Sequence, residues 1–405
     1  MSTHAYWILA GLGCSIICGW CRADDSAFGH ALGQPDLLDE QLTSVAAGHA
    51  QPIQRAPGMV SVITASQIAR SGARDLYDIL RTVPGFFVGE NIAGVEPILS
   101  VRGFKSSYNQ NVLILLDGVP QTDYVAGDRL AVLGKIPLDL IERIDIMRGP
   151  GSALHGADAY SAVIDIITRA TPPDRTQITL TGGSQRTRIA RALGGSRRGG
   201  STWVGAVEYQ RTDGHRPYIG ADAQTALDAT FGTDASLAPG HANTQLGLIG
   251  AQANVTNDRS AFMLRASHGR DIGMKVGLSG ALDPFGRVDI TTLEGRYTWR
   301  ARARDWSTKV LFDQSFYQLE IEDAHYLPPR ALPVFPDGLI SSSQTRQTRA
   351  RLQGAWEHTG FPSHYLTLGA GAEYGTTHVQ SERRNFSLVR GFPRPLGTVQ
   401  DITDP

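Results

Sequence analysis

From Pro172 onward the chain is written in twos, and this constrains its fold more than any other feature. The stretch "LEGRYTWR" sets Leu293, Gly295, Tyr297 and Trp299 on one side and Glu294, Arg296, Thr298 and Arg300 on the other. "RARLQGAWE" opposes Ala350, Leu352, Gly354 and Trp356 to Arg349, Arg351, Gln353 and Glu357. "HYLTLGAGAEY" opposes Leu366, Leu368, Ala370, Ala372 and Tyr374 to Thr367, Gly369, Gly371 and Glu373. A period of two marks strands whose faces meet different surroundings. Nine such strands are expected, near 176–184, 187–196, 201–211, 244–255, 259–268, 290–301, 305–321, 345–357 and 364–376.

Their connections narrow the architecture. The even-numbered strands are followed by short turns: "RRGG", "TNDR", "ARD" and "HTGFPS". After a tight first hairpin, the odd-numbered ones are followed by long loops, 212–243, 269–289, 322–344 and 377 onward. Strands of about ten residues with the long loops gathered at one end are the habit of a transmembrane barrel. A soluble sandwich has no reason to sort its loops so strictly. Residues 172–405 are therefore expected to form an antiparallel transmembrane β-barrel with its apolar face toward membrane lipid. After residue 23, nothing approaches the roughly 18 apolar residues of a membrane helix.

Residues 53–171 follow a different grammar, that of a compact α+β domain. "ITASQIARSG" places Thr64 as a helix cap with Gln67 completing a capping box, Ile63 and Ile68 as a hydrophobic staple, and Gly72 as the stop. In "ARDLYDILRTVPG", Leu76, Ile79, Leu80 and Val83 share one face before Pro84 and Gly85 end the helix. Val112–Leu116 and, apart from Asp165, Val163–Ile167 are apolar enough to be strands covered on both faces. Asp117-Gly118 and Gly149-Pro150 read as turns.

Residues 1–23 read as a secretory signal peptide, with an apolar run from Ala5 to Trp20 and the small-residue ending "CRA" before Asp24. Gly11 stands where a lipoprotein signal wants an aliphatic residue before Cys14, so no lipid anchor is expected. Cys14, Cys18 and Cys21 all lie in this segment, leaving the remainder without thiol chemistry. A formal net charge of −1 supplies no field to gather nucleic acid, and no nucleic-acid role is expected. Ser152, His155 and Asp158 are close in sequence but lack the spacing of a catalytic triad. The histidines show no metal-binding pair, and His325 beside Glu322 and Asp323 is the nearest approach to a cation site. No enzyme activity, cofactor or resident metal is expected.

In order and spacing, "ILSVRGF", "VLILLDGVP" and "LIERIDIMRGPGSALHGADAYSAVIDIITR" resemble the plug domain of TonB-dependent outer-membrane receptors. The preceding "APGMVSVITASQIARSGARDLYDILRTVPG" is similar to that plug's first strand and helices. The resemblance implies a plug over 53–171 inside a barrel of roughly 22 strands, in the outer membrane of a Gram-negative bacterium. It implies energy-coupled uptake of a scarce solute, such as a ferric siderophore, haem or cobalamin, by a monomer. It also implies a TonB box, a short segment captured by an inner-membrane energy-transducing protein. Within residues 24–52 the best match is Leu42, Thr43, Ser44, Val45 and Ala46. Such a segment should be extended, weakly held and able to add a strand to a partner's sheet.

By the same resemblance Arg102 and Arg148 pair with barrel-wall glutamates as a latch, which Glu142 and Arg143 can join. Gly103, Asp117, Gly118, Gly149 and Pro150 are plug turns, and Tyr108, Asn109 and Tyr124 on the plug apices are candidate ligand contacts. The chain stops at Pro405 within what the pattern makes a fifth long loop. It is thus expected to be a fragment or a natural truncation, with most latch partners in strands it does not contain. The alternative reading is a plugged barrel serving surface recognition or signalling, or a truncated receptor that does not function.

Overall fold

The computed structural model describes residues 42–43, 45, 51–53, 56, 58–90, 97–106, 108–122, 136–151, 155, 158–358, 360–361 and 366–401. The signal-peptide reading, Ser44, Ala46, Tyr124 and Ser152 lie outside the described residues.

The N-terminal part begins with β1 (Leu42–Thr43) and β2 (Gln51–Pro52), followed by β3 (Met59–Thr64), α1 (Ala65–Ser71), α2 (Leu76–Leu80), β4 (Phe86–Glu90) and β5 (Pro97–Val101). β6 (Val112–Leu116), β7 (Val119–Pro120), β8 (Ile141–Arg148) and β9 (Ala162–Thr168) complete it. Five of these form a mixed sheet in the order β3-β8-β9-β6-β7, with β6 and β9 parallel. Thr64 and Gln67 close the capping box of α1, and Gly72 ends it at φ 69°, a conformation that favours glycine. One sheet face packs Ile114, Ile144, Ile146 and Ile164 under Leu76, Ile79 and Leu80. The other face carries a smaller cluster of Leu113, Leu115, Met147 and Val163. All five residues of β6 are buried, so it is dry on both faces.

The remainder is one antiparallel sheet of ten strands in sequence order. These are β10 (Gln177–Gly182), β11 (Arg188–Arg198), β12 (Ser201–Thr212), β15 (Leu246–Thr256), β16 (Ser260–Gly273), β17 (Arg287–Arg302), β18 (Trp306–Leu327), β19 (Leu339–His358), β20 (Leu366–Val389) and β21 (Phe392–Asp401). The first long loop carries β13 (Tyr218–Ile219), α3 (Ala223–Phe231) and β14 (Gly240–His241). β10 and β21 are the sheet's edges, so the barrel is not closed.

This sheet is inside-out relative to a soluble protein. Trp203, Tyr209, Ile249, Phe262, Leu293, Tyr297 and Phe312 are exposed, whereas Arg191, Glu208, Arg265, Glu294, Arg296, Asp313 and Arg349 are buried. An apolar exterior with a polar lumen is the surface of a membrane barrel. Trp203, Trp299, Trp306 and Trp356 all lie near the short-turn ends of their strands, where amphipathic rings mark a membrane boundary. No helix among the described residues is long and apolar enough to cross a membrane.

The strand count exceeds the sequence expectation by one. The segment from 377 onward is not a loop: β20 continues to Val389, turns through Arg390 and Gly391 at φ 52° and 80°, and pairs with β21. β18 has 22 residues and β19 has 20, reducing the expected loop 322–344 to 328–338. At about 3.3 Å per residue such strands outreach an apolar band roughly 25 Å tall. Their upper parts rise beyond that band and pack against the outer loops, burying Ala324, Leu339 and Phe386, so the sequence there loses the alternation that identified the lower parts.

Candidate functional site: where the N-terminal domain meets the wall

The N-terminal domain meets the wall chiefly through one hairpin. β6 and β7 are joined by Asp117 and Gly118, at φ 52° and 78°, the two left-handed positions that a tight Asp-Gly hairpin turn requires. The turn is braced from within. Asp117 Oδ1 accepts from the Thr168 amide at 2.8 Å, Asp117 Oδ2 accepts from Thr168 Oγ1 at 2.9 Å, and the Gly118 amide donates to Asp165 Oδ1 at 3.1 Å.

Facing this hairpin, the inward residues of β16 to β19 form a buried lattice of charge. Arg296 Nη1 donates to the Leu116 carbonyl at 2.8 Å, Arg349 Nη1 to the Pro120 carbonyl at 3.0 Å, and Arg265 Nη2 to Gln121 Oε1 at 2.8 Å. The wall supplies the counter-charges. Glu294 accepts from both Arg265 and Arg296, and Asp313 from Arg296 at 3.3 Å and Arg349 at 3.1 Å. Arg351 pairs with Glu373 on β20. The side chains of Arg265, Glu294, Arg296, Asp313 and Arg349 are each no more than 5% exposed. Three guanidiniums are thus aimed at neutral acceptors of the hairpin; Glu294 and Asp313 neutralise two of them, and the third counter-charge is the hairpin's own Asp117, 3.9 Å from Arg296 Nη1. When the hairpin leaves, the pairs within the wall can stay matched, and what is lost is three charge-assisted hydrogen bonds of about 1.5–3 kcal/mol each together with the longer Arg296–Asp117 approach.

Two smaller contacts flank this one. On β11 and β12, Arg191 and Glu208 pair at 2.8 Å while Arg191 donates to the Arg74 carbonyl and Glu208 accepts from the Leu138 amide. On β15, Asn254 Nδ2 donates to Thr168 Oγ1 at 2.9 Å and to the Arg169 carbonyl at 3.2 Å. Leu140 packs on Leu193, Val204 and Ala206, the apolar part of the junction.

Acids collect behind the hairpin. Asp145 and Asp165 are register partners on β8 and β9. Burial pushes the Asp165 carboxyl up to about 6, with Asp117 and Asp145 adding to it and the Gly118 amide opposing.

The expected TonB-box segment is extended at Leu42–Thr43, paired with β2. It is docked rather than loosely held. Thr43 Oγ1 donates to Asp145 Oδ2 at 3.0 Å, His155 Nε2 lies 2.8 Å from the Val45 carbonyl, and Val45 is 2% exposed in the cluster with Leu113, Leu115 and Val163. The physical reason is an apolar hollow on the second sheet face that the Val45 side chain fills.

The four expected latch residues do not converge on the wall in this chain. Arg148 donates to the Pro84 carbonyl and to Ser61 Oγ, both at 2.8 Å. Exposed Arg102, at φ 51°, reaches Met59 Sδ at 2.7 Å. Glu142 pairs with Arg169 at 3.4 Å and Arg143 with Asp145 at 3.1 Å. Among the described residues no wall carboxylate pairs with Arg102 or Arg148. Gly103 and Gly149 have φ of 86° and 132° as turn residues, and Pro150 follows directly.

Of the expected ligand contacts, Tyr108 is 46% exposed. Asn109 is buried, its Oδ1 accepting from the Leu99 amide at 2.6 Å and its Nδ2 donating to the Pro97 carbonyl at 3.0 Å. Its amide holds β5 and is not turned toward a ligand. His325 faces Asp283 at 3.5 Å rather than a metal cluster, and no group of three ligating side chains occurs among the described residues. The outer loops are tied together: Asp222 Oδ2 accepts from the Leu282 amide at 2.7 Å and Asp283 Oδ2 from the His325 amide at 2.9 Å.

The wall residues Arg265, Asp313 and Arg349 were not singled out from sequence. Their signal was an alternating polar face with opposite charges in register, Arg265 with Glu294 and Arg296 with Asp313.

The TonB-dependent receptor plug domain model matches residues 52–163. The chain is 41% identical over 136 residues to an iron-regulated outer membrane virulence protein of Vibrio cholerae, covering 32% of this chain and 20% of that protein. It is 35% identical over 119 residues to a vitamin B12 transporter of Vibrio vulnificus, covering 29% and 19%. Among solved structures, the ferric yersiniabactin uptake receptor of Yersinia pestis superposes with a TM-score of 0.59 at 15% identity, covering 83% of this chain and 50% of that one. The pyoverdine outer membrane receptor of Pseudomonas aeruginosa gives 0.61 at 13% identity, covering 89% and 54%. The chain spans about a fifth of these curated relatives and about half of the solved receptors. These proteins are named as receptors and transporters, not enzymes. Residues 52–163 match the TonB-dependent receptor plug domain, and the chain's fold, a plug hairpin set against an inside-out antiparallel sheet, is that of the solved outer-membrane receptors.

Proposed function

We propose that this chain belongs to a monomeric receptor for energy-coupled uptake of a metal chelate or cobalamin-like solute. In this reading the plug spans 53–171, and an inner-membrane TonB-type protein captures the segment around Val45. The observation that carries it is the pairing of a docked N-terminal strand with a wall contact made chiefly through neutral acceptors of the hairpin. Thr43 and Val45 hold the segment on the same β8–β9 sheet whose neighbour β6 ends at the wall arginines. A pull on that segment acts on the plug sheet within one strand of the hairpin, whose wall bonds can break while Glu294 and Asp313 each keep a cation. Solute class follows by analogy from the names of relatives and neighbours, which include iron-regulated, vitamin B12, yersiniabactin and pyoverdine proteins. Tyr108 and the tied outer loops are the proposed contact surface.

Calorimetric titration with ferric siderophores, haem and cobalamin should give saturable binding for one class. Disulfide cross-linking of Val45→Cys to a TonB-type partner should then increase when that solute is present. Absence of saturable binding for all three classes refutes the uptake reading. Binding without a change in cross-linking refutes coupling through Val45 and favours surface recognition.

A further inference from the structure

On the outer face of the barrel, strand register stacks the outward side chains into rows across β11, β12, β15, β16 and β17. The row at the short-turn end holds Trp203, Val255, Phe262 and Tyr297. Two rows of small and aliphatic residues follow, around Ala253 and Ala251, and then one with Tyr209, Ile249 and His268. From first to last, three steps of two residues cover about 20 Å along the strands at roughly 3.4 Å per residue. That nearly fills an apolar band of about 25 Å.

The next row up changes chemistry at once. Arg188 pairs in register with Arg211, Arg211 with Gly247, and Gly247 with Arg270. All three arginines are exposed on the outward side. They stand at the long-loop end, where the outer surface of the bilayer meets the wall. Gly247 has no side chain to fill the space between Arg211 and Arg270, and a groove of ≈ 280 Å³ opens there, bounded below by Tyr209, Ile249 and His268. Nearby acids offset only one of the three charges. Asp213 is taken by Arg186 at 2.6 Å and Asp271 pairs with Arg270 at 3.7 Å, while among the described residues no ion pair involves Arg188 or Arg211.

We propose that this row and groove bind the phosphorylated glycolipid of the outer leaflet. Guanidiniums of Arg188, Arg211 and Arg270 hold its head-group phosphates, and its acyl chains lie on Tyr209, Ile249 and the aliphatic rows below. Arginine's planar fork suits phosphate oxygens. A basic rim at a membrane surface draws anionic head groups. Free phosphate lacks the apolar part that the lower half of the groove matches. The inference rests on the barrel lying in an outer membrane and needs no particular transported solute.

The test uses the full chain in detergent micelles, titrated by native mass spectrometry with bis-phosphorylated lipid A, dephosphorylated lipid A, phosphatidylglycerol and inorganic phosphate. Expected is saturable retention of the bis-phosphorylated lipid, at least tenfold tighter than either other lipid, with no competition from inorganic phosphate. Arg188→Gln, Arg211→Gln and Arg270→Gln together should weaken it at least tenfold. Arg197→Gln, Arg198→Gln and Arg259→Gln at the opposite rim, matched in charge, should not. Equal retention of dephosphorylated lipid A or phosphatidylglycerol, or equal loss in both triple variants, overturns the proposal. If the first triple variant fails to fold, the lipid comparison on the parent chain decides alone.

Discussion

Replacing Arg296 tests the idea that the wall holds the plug through neutral acceptors. In Arg296→Met, Glu294 keeps Arg265 and Asp313 keeps Arg349, so each buried carboxylate retains a cation. The full 3–5 kcal/mol of a stranded buried charge is therefore not incurred. What is lost is the donation to the Leu116 carbonyl at 2.8 Å and the approach to Asp117 at 3.9 Å. One charge-assisted bond to a buried carbonyl is worth about 1.5–3 kcal/mol. Local opening of the hairpin should become easier by that amount, and 1.4 kcal/mol is a factor of ten. Amide hydrogen exchange across 112–122 should accelerate roughly 10- to 100-fold by that conversion. Exchange in α1 and α2, remote from the contact, should change little. The comparison variant Asp313→Ala leaves Arg296 and Arg349 short of an acid and should cost more, about 3–5 kcal/mol. Exchange over 112–122 unchanged within threefold in Arg296→Met, or equal acceleration everywhere, would refute the reasoning.

Other outcomes follow from the same geometry. Arg148→Ala removes two hydrogen bonds inside the plug and should lower its stability by about 1.5–3 kcal/mol, whereas Arg102→Ala, exposed and reaching Met59, should be near neutral in thermal melts. Increased antibiotic leakage in cells for Arg148→Ala alone would accord with this ranking, and unchanged permeability for both removes any locking role. Val45→Ala deletes two buried methyl groups, at about 0.8 kcal/mol each, and should free the N-terminal segment to proteolysis before the plug melts; equal protection in variant and parent contradicts the docking. The Asp165 carboxyl sits at about 6 in the fold against 3.8 for its ordinary value. Folding therefore favours its protonated form, and stability present below about pH 4 is lost as pH rises through 6, by up to about 3 kcal/mol. Asp165→Asn should flatten that fall in pH-dependent urea unfolding; an unchanged profile denies the burial effect.

Much of the fold was legible because its causes are local. The capping box at Thr64 and Gln67, the Asp117-Gly118 turn and the lower barrel strands each depend on a few neighbouring residues. The upper halves of β18, β19 and β20, and all of β21, were not legible. Above the lipid band one face packs on loops and the other meets no lipid, which leaves no period of two for sequence to carry. Asn109 misled for a related reason: a polar residue in a glycine-flanked loop reads as a contact surface until its amide is seen holding Leu99 and Pro97.

By itself, then, the sequence determined that one half of the chain is a dry-stranded α+β plug and the other a wall with lipid on one side. Period, turn chemistry and block order are properties of short stretches. Only the tertiary structure decided which charges hold the plug. Arg148 was prominent beside its turn, yet its bonds stay within the plug, while Arg265, Arg296 and Arg349 reach it from strands up to 229 residues away in sequence. A lumen-facing arginine is the same letter whether it meets water, a wall acid or a plug carbonyl. Register across four strands, together with the depth at which the hairpin enters, selects among these.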